Sequence, residues 1–345
     1  MKFVKIAFFL MTVFLVLTLA SCDNHSKNAS DGLVFESNGD GTCVLKDIGS
    51  CEDADIVIPA VSPDGDEVVG IAGGALYSDH TVVSVAIPST VVDIHSNNFI
   101  ECDRLEKFTV DPENPVYYSE GNCIIERESK TLIAGCYTSV IPDDVKSIAI
   151  NAFRGVSRLE NVTIPEGVTK IGKAAFMDCD SLTAIDVPTG VMVIDEYAFT
   201  NCDNLVTVTL PDSVTHIGSF AFSHCPKLQS IHIPAGLTLI ADDLFRHCTA
   251  LNNVVIPDSV VSIDAGAFGG CASLERILIP QNVTELGLGA FSDCSSLSDI
   301  SFAGTMQQWE EIVKGGPDGE EWWYTSIPAT VVHCTDGDVP ILPDQ

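Results

Sequence analysis

Seven prolines, Pro142, Pro165, Pro188, Pro211, Pro234, Pro257 and Pro280, stand at intervals of 23 residues. Each carries the same phrase. An apolar residue precedes the proline, Val or Leu follows at three, and Ile or Leu at six. Ala-Phe follows at ten and eleven, Cys at fourteen and Leu at seventeen, except that Val156 replaces Cys in the first unit and Leu244 replaces Ala in the fifth. A fixed period of this length describes stacked units that each touch only their neighbours, not one globular core. It moves the functional question from a pocket to the long surface that such a stack displays.

The unit from Leu159 to Cys179 shows the physical content of the phrase. Leu159, Val162 and Ile164 alternate with polar residues, as one strand face does. Pro165 cannot donate to a ladder and marks the strand end. Val168 and Ile171 supply two more inward residues on a second short strand, Gly172 turns the chain, and Ala175 and Phe176 point inward. Equivalent residues of successive turns stack. This gives a Phe row that includes Phe99 and then runs from Phe153 to Phe291, and a Leu row that includes Leu105 and then runs from Leu159 to Leu297.

The 13 cysteines follow the same arithmetic. Cys102, Cys179, Cys202, Cys225, Cys248, Cys271 and Cys294 each lie fourteen residues after a repeat proline. Stacked strands are about 4.8 Å apart. That is wider than the ~3.8 Å between the Cβ atoms of a disulfide, so this row reads as buried thiols filling space. Cys43 with Cys51, and Cys123 with Cys136, are better placed for bridges. No CxxC pair occurs, so a thiolate zinc site has no support.

The phrase resembles the BspA-like subclass of leucine-rich repeats, L-x-x-I-x-I-P-x-x-V-x-x-I-G-x-x-A-F-x-x-C. The resemblance covers nine units, with Pro88 and, more loosely, Pro59 heading the first two. It implies an α/β leucine-rich-repeat solenoid, right-handed and strand-rich, with short turns or 3-10 segments on the convex side. The expected solenoid spans 59–302. A hairpin-like insert at about 110–137 interrupts it, since Pro88 and Pro142 lie 54 residues apart instead of a multiple of 23. Asp111-Pro112-Glu113-Asn114-Pro115 opens the insert. Residues 33–58, built around Asn38-Gly39-Asp40-Gly41, read as a capping hairpin. Residues 303–345 hold Trp309, Trp322 and Trp323 and read as a C-terminal cap. In the cap, 306–313 reads as a short helix with Trp309, Ile312 and Val313 on its apolar side.

Residues 1–21 form a signal sequence, with Lys2 and Lys5 before the apolar run Ile6 to Ala20. Leu19-Ala20-Ser21-Cys22 resembles the lipobox of bacterial lipoproteins. That resemblance implies cleavage before Cys22, lipid on Cys22, and a membrane anchor at an outer surface, with 22–32 as a flexible tether. Removing 1–21 takes away two lysines and no acids, so the charge falls from −31 to −33. Nucleic acid is an unsuitable partner for such a chain.

No nucleophile elbow, zinc-helix motif or phosphate loop occurs, so no enzyme, cofactor or metal is expected. His216, His224, His232 and His247 read as falling in different repeat columns. Asn38, Asp40 and Thr42 faintly echo a calcium loop, but Gly49 stands where its distal Glu belongs. What remains is the displayed face. The resemblance places the outward strand positions on the concave side, with Thr163, Asp186, Thr209, His232, Val255 and Leu278 in one row and Arg276 in the next. These positions vary while the core columns hardly do. Val255, Leu278, Arg276 and His232 make a mixed apolar and basic patch on an acidic chain. The family implies recognition of a protein ligand, as in adhesion to host matrix or bacterial surface proteins. A glycan-binding or nutrient-capture role for the Trp-rich segment, and a purely structural surface protein, are the alternatives.

Overall fold

The computed structural model describes residues 29–315, 324 and 326–341. Cys22, Trp322 and Trp323 therefore lie outside the described residues. The chain forms a strand-rich solenoid of about 11 turns. Its α component, among the described residues, is one six-residue helix, Met306–Glu311, begun by a Thr305–Gln308 capping box.

Each regular turn contributes two short strands. Ala184–Asp186, Thr207–Thr209, Ser230–His232 and Asn253–Val255 pair in parallel as one stretch of a first sheet. Lys170–Ile171, Val193–Ile194 and His216–Ile217 pair in parallel in a second sheet. The register offset is one repeat: Ile185 faces Val208, and Ile171 faces Ile194. In each first-sheet strand the middle residue is buried and its two neighbours are exposed. The proline after the strand ends it and starts a turn, in which its carbonyl accepts the N–H three residues later. Val168 donates to Pro165 at 3.0 Å, and the same bond recurs to Val283 and Pro280.

Opposite the first sheet the chain runs through linked turns. Two residues of each turn, four apart and flanking the Phe, adopt positive φ. In three successive turns they are Ala174 and Asp178, Tyr197 and Asn201, and Phe220 and His224. This conformation divides the N–H groups. Ala174, Phe176 and Asp178 donate to the next turn, on Glu196, Ala198 and Thr200, at 2.8 to 2.9 Å. The intervening Ala175 and Met177 donate back to Gly172 and Ala174. Every backbone donor of this stretch is thereby satisfied without a strand or helix.

Inside, Phe153 to Phe291 form an unbroken stack with ring centroids 5.0 to 6.1 Å apart. The widest gap, Phe222 to Phe245, falls where Leu244 replaces the usual Ala, and there the second sheet also breaks. Phe99 does not extend this stack. It meets Phe108 edge-on at 4.9 Å, because the insert separates its turn from the regular row. The Leu row is fully buried from Leu159 to Leu297.

The cysteines of the repeat column are buried, and they do more than fill space. Cys179, Cys202, Cys225, Cys248, Cys271 and Cys294 each donate to the carbonyl of the Phe one turn back, at 3.0 to 3.3 Å. Burial pushes the Cys102 and Cys294 thiols up to about 12, so they stay protonated donors. All described cysteines are free. The expected Cys43–Cys51 and Cys123–Cys136 bridges are not formed. Cys43 points its thiol at the Asp66 carbonyl, Cys123 at that of Gly121, and Cys136 at that of Asn122.

The insert forms a three-stranded meander, Tyr117–Glu120, Cys123–Glu126 and Thr131–Ala134, joined in parallel to Ser147–Ile148. Asn114 anchors its start. This buried side chain donates to Pro88 and Val91 carbonyls and accepts from Val116 and Tyr117 N–H, all at 2.7 to 2.9 Å. The meander adds strands to one sheet but no turn on the opposite side. Glu101 N–H bonds Arg154 O, and Ser157 bonds Asp103. Gly155, at φ +69°, permits this approach, since a Cβ there would lie 2.8 Å from Glu101. Two hydrophobic cores meet at this junction, one spanning 33–136 and the other 123–332.

At the N-terminal end, Val34–Ser37 and Thr42–Asp47 pair as an antiparallel hairpin. Its Asp40 carboxylate accepts from Thr42 N–H and hydroxyl, which makes this segment a turn and accounts for its resemblance to a calcium loop. At the other end, Trp309 is 4% exposed and packs on Phe302 at 5.4 Å, and Ile312 is buried with it. Val313 departs from the expected apolar side. It is 64% exposed, because it leaves the helix and pairs as an edge strand with Glu285.

Candidate recognition face

The outward residues of the first sheet form the candidate site, and the solenoid sorts them. Asp186, Thr209, His232 and Val255 share one four-stranded stretch, each exposed on the same side. Asp186 is paired with Thr209, and His232 with Val255. Arg276 and Leu278 lie on the next strand, Arg276–Ile279, which begins a second stretch with Asp299–Phe302. No ladder joins Asn253–Val255 to Arg276–Ile279. Thr163 is exposed but sits on no strand, since residues 159–165 lie beside the insert and outside the ladder. The expected continuous row is thus four residues, a seam, then two, with Thr163 apart.

Val255 is 71% exposed and Leu278 56%. Both occupy the same repeat position on successive turns, so their side chains form one apolar patch across the seam. Around it the face is polar. His232 lies 3.3 Å from Asp212, which also accepts the Ala235 N–H. That backbone bond first, then His232, holds the Asp212 carboxyl below its ordinary value. Arg276 faces Asp299 in register, yet no carboxylate lies within ion-pair distance of it among the described residues. The arrangement offers an apolar contact, one unpaired guanidinium and short hydroxyl and amide side chains. Those are the groups of a recognition surface.

Two features escaped the sequence reading. His224 and His247 are 23 residues apart and therefore share a column, contrary to the expectation above. Their rings pack at 4.8 Å on the turn side, away from the candidate face. The spacing alone could have shown this. Arg158 lies over the Tyr137 ring at 3.9 Å. Nothing in the sequence signalled that contact, because Tyr137 belongs to the insert and Arg158 to the regular repeat.

The BspA-type leucine-rich repeat model matches residues 65–126, 135–252 and 215–313. These segments make up most of the chain, so it belongs to the BspA-type leucine-rich repeat family. Two solved structures share the fold. A leucine-rich repeat protein from Eubacterium ventriosum is 22% identical, with a TM-score of 0.56 over 83% of this chain and 69% of that one. The pneumococcal vaccine antigen PcpA is 19% identical, with a TM-score of 0.52 over 79% of this chain and 60% of that one. No curated protein matches the chain in sequence.

Proposed function

We propose that the protein is a non-enzymatic, surface-associated binding protein that recognises a protein ligand through the first-sheet face. The observation that carries this reading is the patch of Val255 and Leu278 beside the unpaired Arg276 on an acidic molecule. Exposed aliphatic side chains flanked by arginine on a rigid sheet suit a partner with an apolar anchor and an acidic rim. The lipobox-like sequence at Cys22 supports anchoring at the outer side of a membrane, and family membership supports adhesion as the role.

The test is binding to immobilised host-matrix and bacterial surface proteins by surface plasmon resonance. Leu278→Ser with Arg276→Gln should weaken the interaction by a factor of ten or more and leave the fold intact. Undiminished binding by this double variant overturns the assignment to this face. Protease treatment of intact cells checks location: an adhesin must be cleaved. For the alternative of sugar binding by the Trp-rich segment, Trp309 offers no stacking face, since its ring is buried, while Trp322 and Trp323 lie outside the described residues.

A further inference from the structure

The geometry points to a second binding site, a notch of about 440 Å³ beside the insert that takes a small hydroxylated carboxylate. Tyr137, Arg158, Glu160, Asn161 and Ser181 line it. It exists because the repeat is interrupted. Tyr137 comes from the end of the insert and stands one turn before Glu160, where a regular turn would carry a strand. Its hydroxyl donates to Glu106, and its ring is covered by Arg158.

Arg158 is the anchor. Lys130, Arg154, Lys170, Lys173 and Arg246 each lie within ion-pair distance of a carboxylate. Arg158 has no such carboxylate among the described residues, although acids outnumber bases 48 to 17 in this chain. It donates to the Asp103 carbonyl at 3.5 Å and also lies within hydrogen-bond reach of the Tyr137 hydroxyl. The Tyr137 ring holds the guanidinium carbon 3.9 Å from its centroid, and a guanidinium carries five N–H donors, enough for a two-point contact with a carboxylate beside its bond to Asp103.

The rest of the notch defines the ligand further. Among the described residues, the Asn161 and Ser181 side chains have no hydrogen-bond partner and Glu160 has no ion-pair partner. An amide, a hydroxyl and a carboxylate beside one guanidinium match a ligand with one acid group and several hydroxyls. A uronic acid has that chemistry, and the volume suits a monosaccharide. This site is independent of the Val255–Leu278 patch.

Saturation-transfer NMR of sodium glucuronate with the full chain tests the proposal, with glucose and N-acetylglutamate as companion probes. Glucuronate should bind, glucose should not, and N-acetylglutamate should bind at least ten times more weakly. Arg158→Gln should reduce glucuronate affinity tenfold or more, and Arg158→Lys by a smaller factor. Arg276→Gln should leave it unchanged and so separates this site from the recognition face. An unaltered melting temperature in Arg158→Gln establishes that the loss is not unfolding. Absence of glucuronate binding, or equal binding by Arg158→Gln, overturns the site. Equal affinity for N-acetylglutamate overturns the assignment of a hydroxylated ligand.

Discussion

The regular stack from Pro142 to Phe302 and the arm before it solve one packing problem in two ways. Both must satisfy backbone groups exposed by short, irregular turns. In the regular stack a single buried thiol per turn does so, by donating to the Phe carbonyl one turn back. In the N-terminal arm buried asparagines share the work. Asn98 stands where the repeat has Ala, accepts from Ala75 N–H, and donates to the Ile71 and His95 carbonyls. Asn114 anchors the insert with four bonds. Periodicity lets one small side chain serve every turn, whereas each interruption needs its own multi-point polar plug.

Alkaline titration should break this symmetry most strongly. Burial raises the Cys179, Cys248, Cys271 and Cys294 thiols above the ordinary 9.0, to about 12 for Cys294. A group whose folded pKa is raised adds stability that is fully present below the unfolded value and is lost as pH rises through the folded one. Between pH 9 and 12 each such thiol withdraws roughly 1.4 kcal/mol per pH unit. All four lie in the regular stack, so its cooperative unfolding is expected within that window. The arm around Cys102 should lose less. Circular dichroism with thiolate absorbance follows both. A regular stack that keeps its far-ultraviolet signal at pH 12 would sink the idea.

Phe222→Ala comes next. It removes a ring stacked on both sides, and should cost about 3–5 kcal/mol in denaturant melts. Phe99→Ala should cost less, because Phe99 is 8% exposed and has one edge-on partner. Equal costs would mean that the stack adds nothing beyond burial.

Asn114→Ala should cost about 3 kcal/mol, since it removes the side-chain partner of the Val91 carbonyl and of the Val116 and Tyr117 N–H groups. Hydrogen exchange should localise the damage to 88–126 and leave 165–302 protected. Spread across the whole chain, it would show that the two cores unfold as one.

These contrasts also show what was legible in the sequence. The prolines, the Phe and Leu columns and the alternation of Val162 to Ile164 announced solenoid, core and strand ends, because repetition turns weak local signals into strong ones. The thiol bonds were hidden: a column of Cys has the same spacing whether it fills space or donates. The exposed positions of Val255 and Leu278 followed from counting, yet the sheet break between them did not, since it depends on how far two turns separate. Thr163 fell out of its row for a non-local reason, the insert beside it. Trp309 was placed on the apolar side of a short helix, and it is buried there.

The smallest effects concern the turns, where no residue preference announced the backbone. Ala174, Tyr197 and Phe220 hold φ of 52° to 62° at a position that is glycine in Gly266 and Gly289. A Cβ is strained there by about 1–2 kcal/mol, partly offset by the freedom glycine has in the unfolded chain. Ala174→Gly should therefore stabilise the protein by about 0.5–1 kcal/mol, and Gly289→Ala should destabilise it by a similar amount. Gly236 is the control. Its φ is not left-handed, and a Cβ would meet only ordinary contacts at 3.6 Å or more. Gly236→Ala should thus be neutral or stabilising by a few tenths of a kcal/mol. If all three changes shift the melting temperature in the same direction, the strain sits elsewhere, and the positive-φ columns are a consequence of stacking instead of a cost carried by each turn.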